Sequence, residues 1–362
     1  VNGEPGLNNR IEYIDALKTF CMFLVIYCHT ALIDDTSFIG NLMMSLAWAA
    51  VPCFMMSSGA LLHQKTEFNW TYYLKKIASA YLGIVVWRLL YYLVYFCAGK
   101  TVVGIRAVFK YVFLLSPLED VDTGLMWYMY AYLAMLLIYP VTYCLFKGDK
   151  LYRQVLLFIM IWALIEGYLI SNFNWIMMKM TGINLGNDLV QVRTVISLGS
   201  CANMLFFFLL GALWLEYKNQ IRRWLGKFSI PVYVVCLVFG MTDLVIVKYV
   251  ETGLWVWGNQ YLPFGYGRLG VVIMAIGLFG IFQEVKLGDH VRILSKLLGK
   301  DTLGIYYLHY ILLTMFSWTE AYEYLKSHYF IGMNILKTVL VYVVCELIVV
   351  ILKRIPGIRR VV

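Results

Sequence analysis

The chain has 362 residues, 62% of them hydrophobic and only 14% charged, with a mean hydropathy of +0.74. Soluble domains carry about 45–50% apolar and about 25% charged residues, so a soluble globular protein is excluded. The apolar runs are also too long for core helices. The net charge of +9 says little by itself, because in such a chain the position of Lys and Arg relative to the spans is what carries information. No run shows the period-two alternation of a membrane barrel. The expected class is therefore all-α, a polytopic integral membrane protein.

Spanning helices need about 20 apolar residues. Ten stretches qualify: 13–33, 39–62, 72–98, 125–146, 152–171, 195–216, 228–249, 264–283, 301–318 and 331–353. An interfacial helix is expected within 102–115. The ten stretches form one membrane domain, 13–353, between a tail at 1–12 and a basic tail at 354–362. Alternate connections are rich in Lys and Arg: Lys65, Lys75 and Lys76; Lys147, Lys150 and Arg153; Lys218, Arg222, Arg223 and Lys227; Lys286, Arg292, Lys296 and Lys300. The connections between them hold fewer: Lys100, Arg106, Lys110, Lys179, Arg193, Lys248 and Lys326. Basic loops stay in the cytoplasm, so both termini are expected there, and ten spans satisfy that parity. The outer connections then include 172–194, whose polar and aromatic residues suit either an acceptor bearing hydroxyls or simple packing over helix ends. The eight cysteines lie in or beside apolar runs without metal-type clustering, as expected of packing residues.

The first span, YIDALKTFCMFLVIYCHTALI, carries Asp15, Lys18 and His29. Ionisable groups inside a span are costly and tend to be functional. At about 100° per residue, Lys18 and His29 return to within roughly 20° of each other, and Asp15 lies roughly 40° from His29. They are separated along the helix by roughly 16 Å, at about 1.5 Å per residue. Lys18 therefore sits near the cytoplasmic mouth and His29 in the outer half. An imidazole there suits a general base or proton relay, or a contact to another helix. Asp15 is too far down the helix to orient His29 but pairs with Lys18 at i, i+3. An acid for His29 must come from Glu166, Asp243 or Glu346. Lys18 either closes a local ion pair or meets an anionic ligand from the cytosol.

Other polar positions follow in chain order. FMMSSGALL, Phe54 to Leu62, ends the second span with small residues that permit close backbone approach. Lys75 and Lys76 open the third span, where orientation alone or phosphate binding explains them. Arg88 lies within that span and needs a protein interior or a wet cavity. Trp127 and Tyr128 open the fourth span at the outer interface. Tyr306 and His309 lie in LGIYYLHYILL of the ninth, with His309 read as a helix-contact histidine or a second functional imidazole. Arg268 and Lys337, near span ends, are expected to snorkel.

These pieces, in this order, resemble the membrane-bound acyltransferase family 3, ten-helix bacterial proteins that O-acylate surface glycans and related acceptors. The resemblance rests on Lys18, ten spacers and His29; on Phe54 to Gly59, with Ser58 and Gly59 in the last two places; on Lys75 and Lys76 leading to Tyr81; on Trp127 and Tyr128; and on Gly304, Ile305, Tyr306 and His309. Departures stand beside it. Tyr73-x-x-Lys76 replaces a paired-arginine pattern, Leu125 stands where many relatives have His, and Tyr132 takes the Glu place of one subclass.

The resemblance implies an acyl-coenzyme A donor, acetyl-CoA foremost, with no metal. The acyl group passes to a hydroxyl of a cell-envelope glycan or lipid-linked sugar at the bacterial cytoplasmic membrane. It implies Lys18, Lys75, Lys76 and Ser58 as donor contacts, His29 as base and Asp15 as the residue that orients Lys18. Arg88, Trp127, Tyr128, Tyr306 and His309 are then candidates for acceptor binding or oxyanion stabilisation. No nucleic-acid partner is expected, and a homo-oligomer is compatible. The competing function is a transporter or flippase for a glycan or small solute, although no pair of Gly/Pro-broken helices in matching positions is visible. A sensor or scaffold explains the intramembrane charges least well.

Overall fold

A computed structural model describes residues 11–30, 38–122, 126–183, 202–252, 265–327, 331–356 and 359. Among these residues the secondary structure is helical throughout, without a strand. Six helical stretches are long and apolar enough to cross a membrane: Gly40–His63, Trp70–Cys97, Trp127–Lys147, Lys150–Thr181, Ala202–Glu251 and Met333–Leu352. Two shorter apolar helices, Leu269–Glu284 and Thr302–Ser317, lie among them.

Helix α1 (Glu12–Thr30) is continuous through all three polar residues of the first span; residues 31–33 of that expected span lie outside the described residues. The second stretch is broken into α2 (Phe38–Ala47) and α3 (Ala50–His63). Pro52 accounts for the break, since it lacks an N–H and its ring crowds the carbonyl four residues earlier, at Trp48. α4 (Trp70–Cys97) starts at Asn69, whose side chain accepts from Tyr72 N at 2.8 Å. The expected interfacial helix is the short α5 (Ile105–Val112). After α6 (Trp127–Lys147), Asp149 caps α7 (Lys150–Leu164) by accepting from Leu151 N and Tyr152 N. A π-helical turn, Ile165–Leu169, joins α7 to α8 (Ile170–Thr181). The fifth stretch thus runs ten residues beyond the expected end at 171, to Gly182 at φ 74°. Glycine takes that left-handed cap without strain.

The 50-residue stretch contains α9 (Ala202–Leu225) and α10 (Ser229–Thr252), separated by a 3-10 turn at Gly226–Phe228. There follow α11 (Leu269–Glu284), α12 (Asp289–Gly299), α13 (Thr302–Ser317), α14 (Glu320–Ser327) and α15 (Ile331–Leu352). The connection holding Lys286 to Lys300, read from sequence only as a basic loop, is thus mostly the amphipathic helix α12. Lys296 of α12 pairs with Glu12 at 3.1 Å.

α1 is the central element, packed against α2, α3, α11, α12, α13 and α15. Its side chains Leu17, Cys21, Met22, Leu24 and Ile26 are completely buried. Around it the helices meet backbone to backbone at small residues, the usual solution where lipid provides no hydrophobic drive between helices. A Cβ on Gly59 of α3 would lie 1.8 Å from Phe208 O of α9, and one on Gly211 of α9 would lie 1.9 Å from Met56 O of α3. A Cβ on Gly277 of α11 would lie 2.6 Å from Tyr233 O of α10. Arg268 does not snorkel. It is buried, donates to both carboxylate oxygens of Asp243 at 3.1 Å, and lies over the Trp175 ring. Two helices packed at this distance bring the pair together before either side chain can reach a membrane surface. Lys337, half-buried, has its ammonium 5.1 Å from the ring centres of Phe316 and Tyr322.

The α3–α9 contact sets a stability test. Gly211→Val should cost about 3 kcal/mol or more through overpacking and remove the monodisperse gel-filtration peak in detergent. Gly288→Ala, where an added Cβ meets nothing within 4 Å, should leave that peak in place.

Candidate active site

One face of α1 borders two adjoining chambers. The first, about 400 Å³, is lined by Lys18, Ser57, Ser58, Lys65, Tyr72, Lys76 and Tyr132 among others. The second, about 240 Å³, holds His29 with Cys28 and five aromatic residues, Trp48, Trp127, Tyr128, Tyr266 and Tyr306. Val25, Val51, Tyr128 and Tyr306 line both, from four different helices. Lys18, Val25 and His29 stand at i, i+7 and i+11, so the helical period alone brings them to one stripe.

The lysine chamber is assembled from three chain segments. Lys18 lies near the start of α1, Lys65 just beyond the end of α3, and Lys76 near the start of α4. Lys65 Nζ sits 3.2 Å from the centre of the Tyr72 ring, and Lys76 Nζ lies 5.8 Å from the same centre. Such a wall presents ammonium groups, aromatic faces and small hydroxyls, a set that suits a ligand with phosphates at one end and an uncharged arm at the other. Ser58 lines the chamber and its hydroxyl is within hydrogen-bonding reach of Tyr128. Gly59 does not face the chamber and carries the α3–α9 contact instead. Lys75 is exposed and outside both chambers' linings. Lys65 and Tyr132 enter the sequence reading only as an orientation signal and as a departure from the family pattern, and Ser57 is not among its site candidates. The available signal was that Lys65 closely follows the Phe54–Gly59 stretch at a helix end.

Asp15 is buried beneath Lys18, with Oδ1 3.5 Å from Nζ, and packs against Gly299 at the end of α12. It lines neither chamber. Its place is that of a residue positioning Lys18.

The His29 side chain is exposed into the second chamber. Its ring lies 5.6 Å from that of His309 and 6.1 Å from that of Tyr310. His309 is fully buried, with Nδ1 3.3 Å from Ile305 O, and its Nε2 has no hydrogen-bond partner among the described residues. The hydroxyl of Tyr310 donates to Asp122. Of the three acids considered for His29, Asp243 is committed to Arg268, and Glu346 lies beside Asp301, which pairs with Lys353. Glu166 is buried in the π-helical turn, packed on α9. The neighbours of His29 are thus a second imidazole and a tyrosine that leads to Asp122, a loop residue the sequence reading passed over.

Arg88 is buried at a third cavity, of about 680 Å³, which also contains Glu119, Asp122 and Tyr130. Its guanidinium donates to Tyr130 Oη at 2.6 Å and to Ser116 O at 3.3 Å and lies over the Tyr111 ring. It borders neither of the first two chambers. Trp127 lines both this cavity and the His29 chamber. The position of Leu125 lies outside the described residues.

Among known proteins, the sequence profile of a family described as an acyltransferase domain matches residues 11–354. No curated protein and no solved structure matches the chain. The profile match takes in both chambers and every helix that forms them: the chain belongs to acyltransferase family 3.

Proposed function

We propose that the protein moves a short acyl group, acetyl foremost, from an acyl-coenzyme A bound in the lysine chamber to a sugar hydroxyl in the His29 chamber. The observation that carries this reading is the pair of adjoining chambers along one stripe of α1, one walled by ammonium groups and the other holding an imidazole. Lys18, Lys65 and Lys76 would meet the donor's phosphates, with its uncharged arm directed toward Val25 and Val51. His29 would take the proton of the acceptor hydroxyl as its oxygen attacks the thioester carbonyl. Collapse of the tetrahedral intermediate breaks the C–S bond and leaves the new C–O ester. The same proton then passes to the departing thiolate. The Tyr128 hydroxyl, and Ser57 Oγ, which is buried without a partner among the described residues, are the nearby donors for the oxyanion. His309 Nε2 would support the imidazolium form of His29 by accepting a hydrogen bond from its second N–H.

The same reading sets the topology. We count ten crossings, taking α9 and α10 as two, and including α1, α11 and α13. α11 and α13, with 16 residues each, reach only about 24 Å and call for a locally thinned bilayer. The meeting of Lys18, Lys65 and Lys76 supports strict alternation of the first three crossings. Basic residues then mark that end as cytoplasmic, with both termini there and the His29 chamber nearer the outer face. The acceptor is an envelope glycan or lipid-linked sugar of a bacterial cytoplasmic membrane.

Two measurements test the chemistry. In membranes supplied with labelled acetyl-CoA and total envelope glycan, His29→Ala should lower label transfer at least about a hundredfold, the usual span of a lost general base. Transfer at the wild-type rate would remove His29 from the mechanism. Lys18→Ala and Lys76→Ala should each raise the KM for acetyl-CoA about tenfold, equivalent to about 1.4 kcal/mol, and leave the KM for acceptor nearly unchanged. Equal increases in both would count against a donor role for the lysine chamber.

A further inference from the structure

The boundary between the chambers does more than separate them. We propose that Tyr128 and Tyr306, with Val25 and Val51 beside them, form a wall that restricts the transferred group to a short acyl chain. This inference rests on the acyl-transfer reading above and adds the residues that choose the acyl group.

The wall is rigid. Tyr128 of α6 meets Tyr306 of α13 edge to face, with ring centres 5.4 Å apart. Tyr128 is held on its other sides by Phe54 at 6.1 Å and by Tyr132, stacked at 6.4 Å. Tyr306 is buried against Tyr307 at 5.7 Å, and Tyr307 stacks on Trp87 at 5.1 Å with an interplanar angle of 8°. Val25 and Val51 are buried to 5% and 7% exposure. Val51 directly follows the start of α3, at the break that Pro52 imposes. Close-packed side chains of this kind do not yield without cost.

The thioester must lie at this wall. Its coenzyme A portion fills the lysine chamber, and the attacking hydroxyl and His29 are in the other. The alkyl part of the acyl group then has to share the 240 Å³ outer chamber with the acceptor. The four extra carbons of a hexanoyl group over an acetyl group, each taking about the space of a water molecule, would compete with the acceptor's sugar ring for the same aromatic faces. An acetyl group adds only a methyl there. Discrimination should therefore arise in the transfer step, where both substrates are present, and not in donor binding.

The experiment compares acetyl-, butyryl- and hexanoyl-CoA as donors to total envelope glycan, using the full chain in membranes. Wild-type protein should transfer hexanoyl at least tenfold more slowly than acetyl. Hexanoyl-CoA should nevertheless inhibit acetyl transfer competitively, with a Ki close to the KM of acetyl-CoA. Val51→Ala and Tyr306→Leu should raise the hexanoyl-to-acetyl rate ratio at least fivefold. Equal wild-type rates for the two donors, or a hexanoyl-CoA that does not inhibit, would overturn the wall while leaving acyl transfer intact. A ratio unchanged in variants still present in the membrane would do the same. Absence of transfer from every acyl-CoA by wild-type protein would overturn the acyl-transfer reading, and the wall with it. If the variants are lost from the membrane, the wild-type rate and inhibition comparisons decide the question alone.

Discussion

A helix that carries Asp15, Lys18 and His29 on one face can cross a bilayer only if that face is kept out of hydrocarbon. Everything around α1 is arranged to meet that requirement. Helices α2, α3, α11, α12, α13 and α15 enclose it, and the polar stripe opens into chambers rather than lipid. Asp15 and Lys18 satisfy each other at one end. His29 reaches a cavity at the other. The apolar remainder of the helix, Leu17, Cys21, Met22, Leu24 and Ile26, is spent on packing. The same solvation cost that makes such a helix rare is what creates space for a ligand along it.

The close helix contacts follow from the same constraint. Chambers between helices weaken packing, so the surrounding crossings are tightened elsewhere, at Gly59 and Gly211 and at Gly277. The Phe54–Gly59 stretch divides this labour within a few residues. Ser57 and Ser58 face the lysine chamber, and Gly59 faces α9. The stretch thus packs on α9 and lines a chamber within three residues. Two buried arginines away from these chambers are paired within the bundle, Arg268 with Asp243 and Arg88 with Tyr130 and Ser116.

The lysine chamber gathers Lys18, Lys65 and Lys76 from three chain segments, the charge that the proposed phosphate-bearing donor would meet. Among the described residues, no Lys, Arg, Asp or Glu side chain lines the His29 chamber. That division between a charged and an aromatic chamber along one helix is what the proposed acyl transfer would use.

Much of this was legible in the sequence because it depends on periodicity. Composition identified an all-helical membrane protein, and 3.6 residues per turn placed Lys18 and His29 on one stripe of a single continuous helix. The order of short motifs carried the family. Those are properties of one helix at a time, or of linear order. What tertiary structure decided is which residues of different helices converge. Lys65 joins Lys18 and Lys76, and Tyr132 faces the same chamber. Arg88 goes to a separate cavity, Asp243 is taken by Arg268, and His29 meets His309 and Tyr310. Nothing local specifies these meetings, since they depend on crossing angles and on glycine contacts between helices far apart in the chain. The wall of Val25, Val51, Tyr128 and Tyr306 is the clearest case, because each residue alone is an ordinary apolar or aromatic position in a span, and only the bundle makes them neighbours.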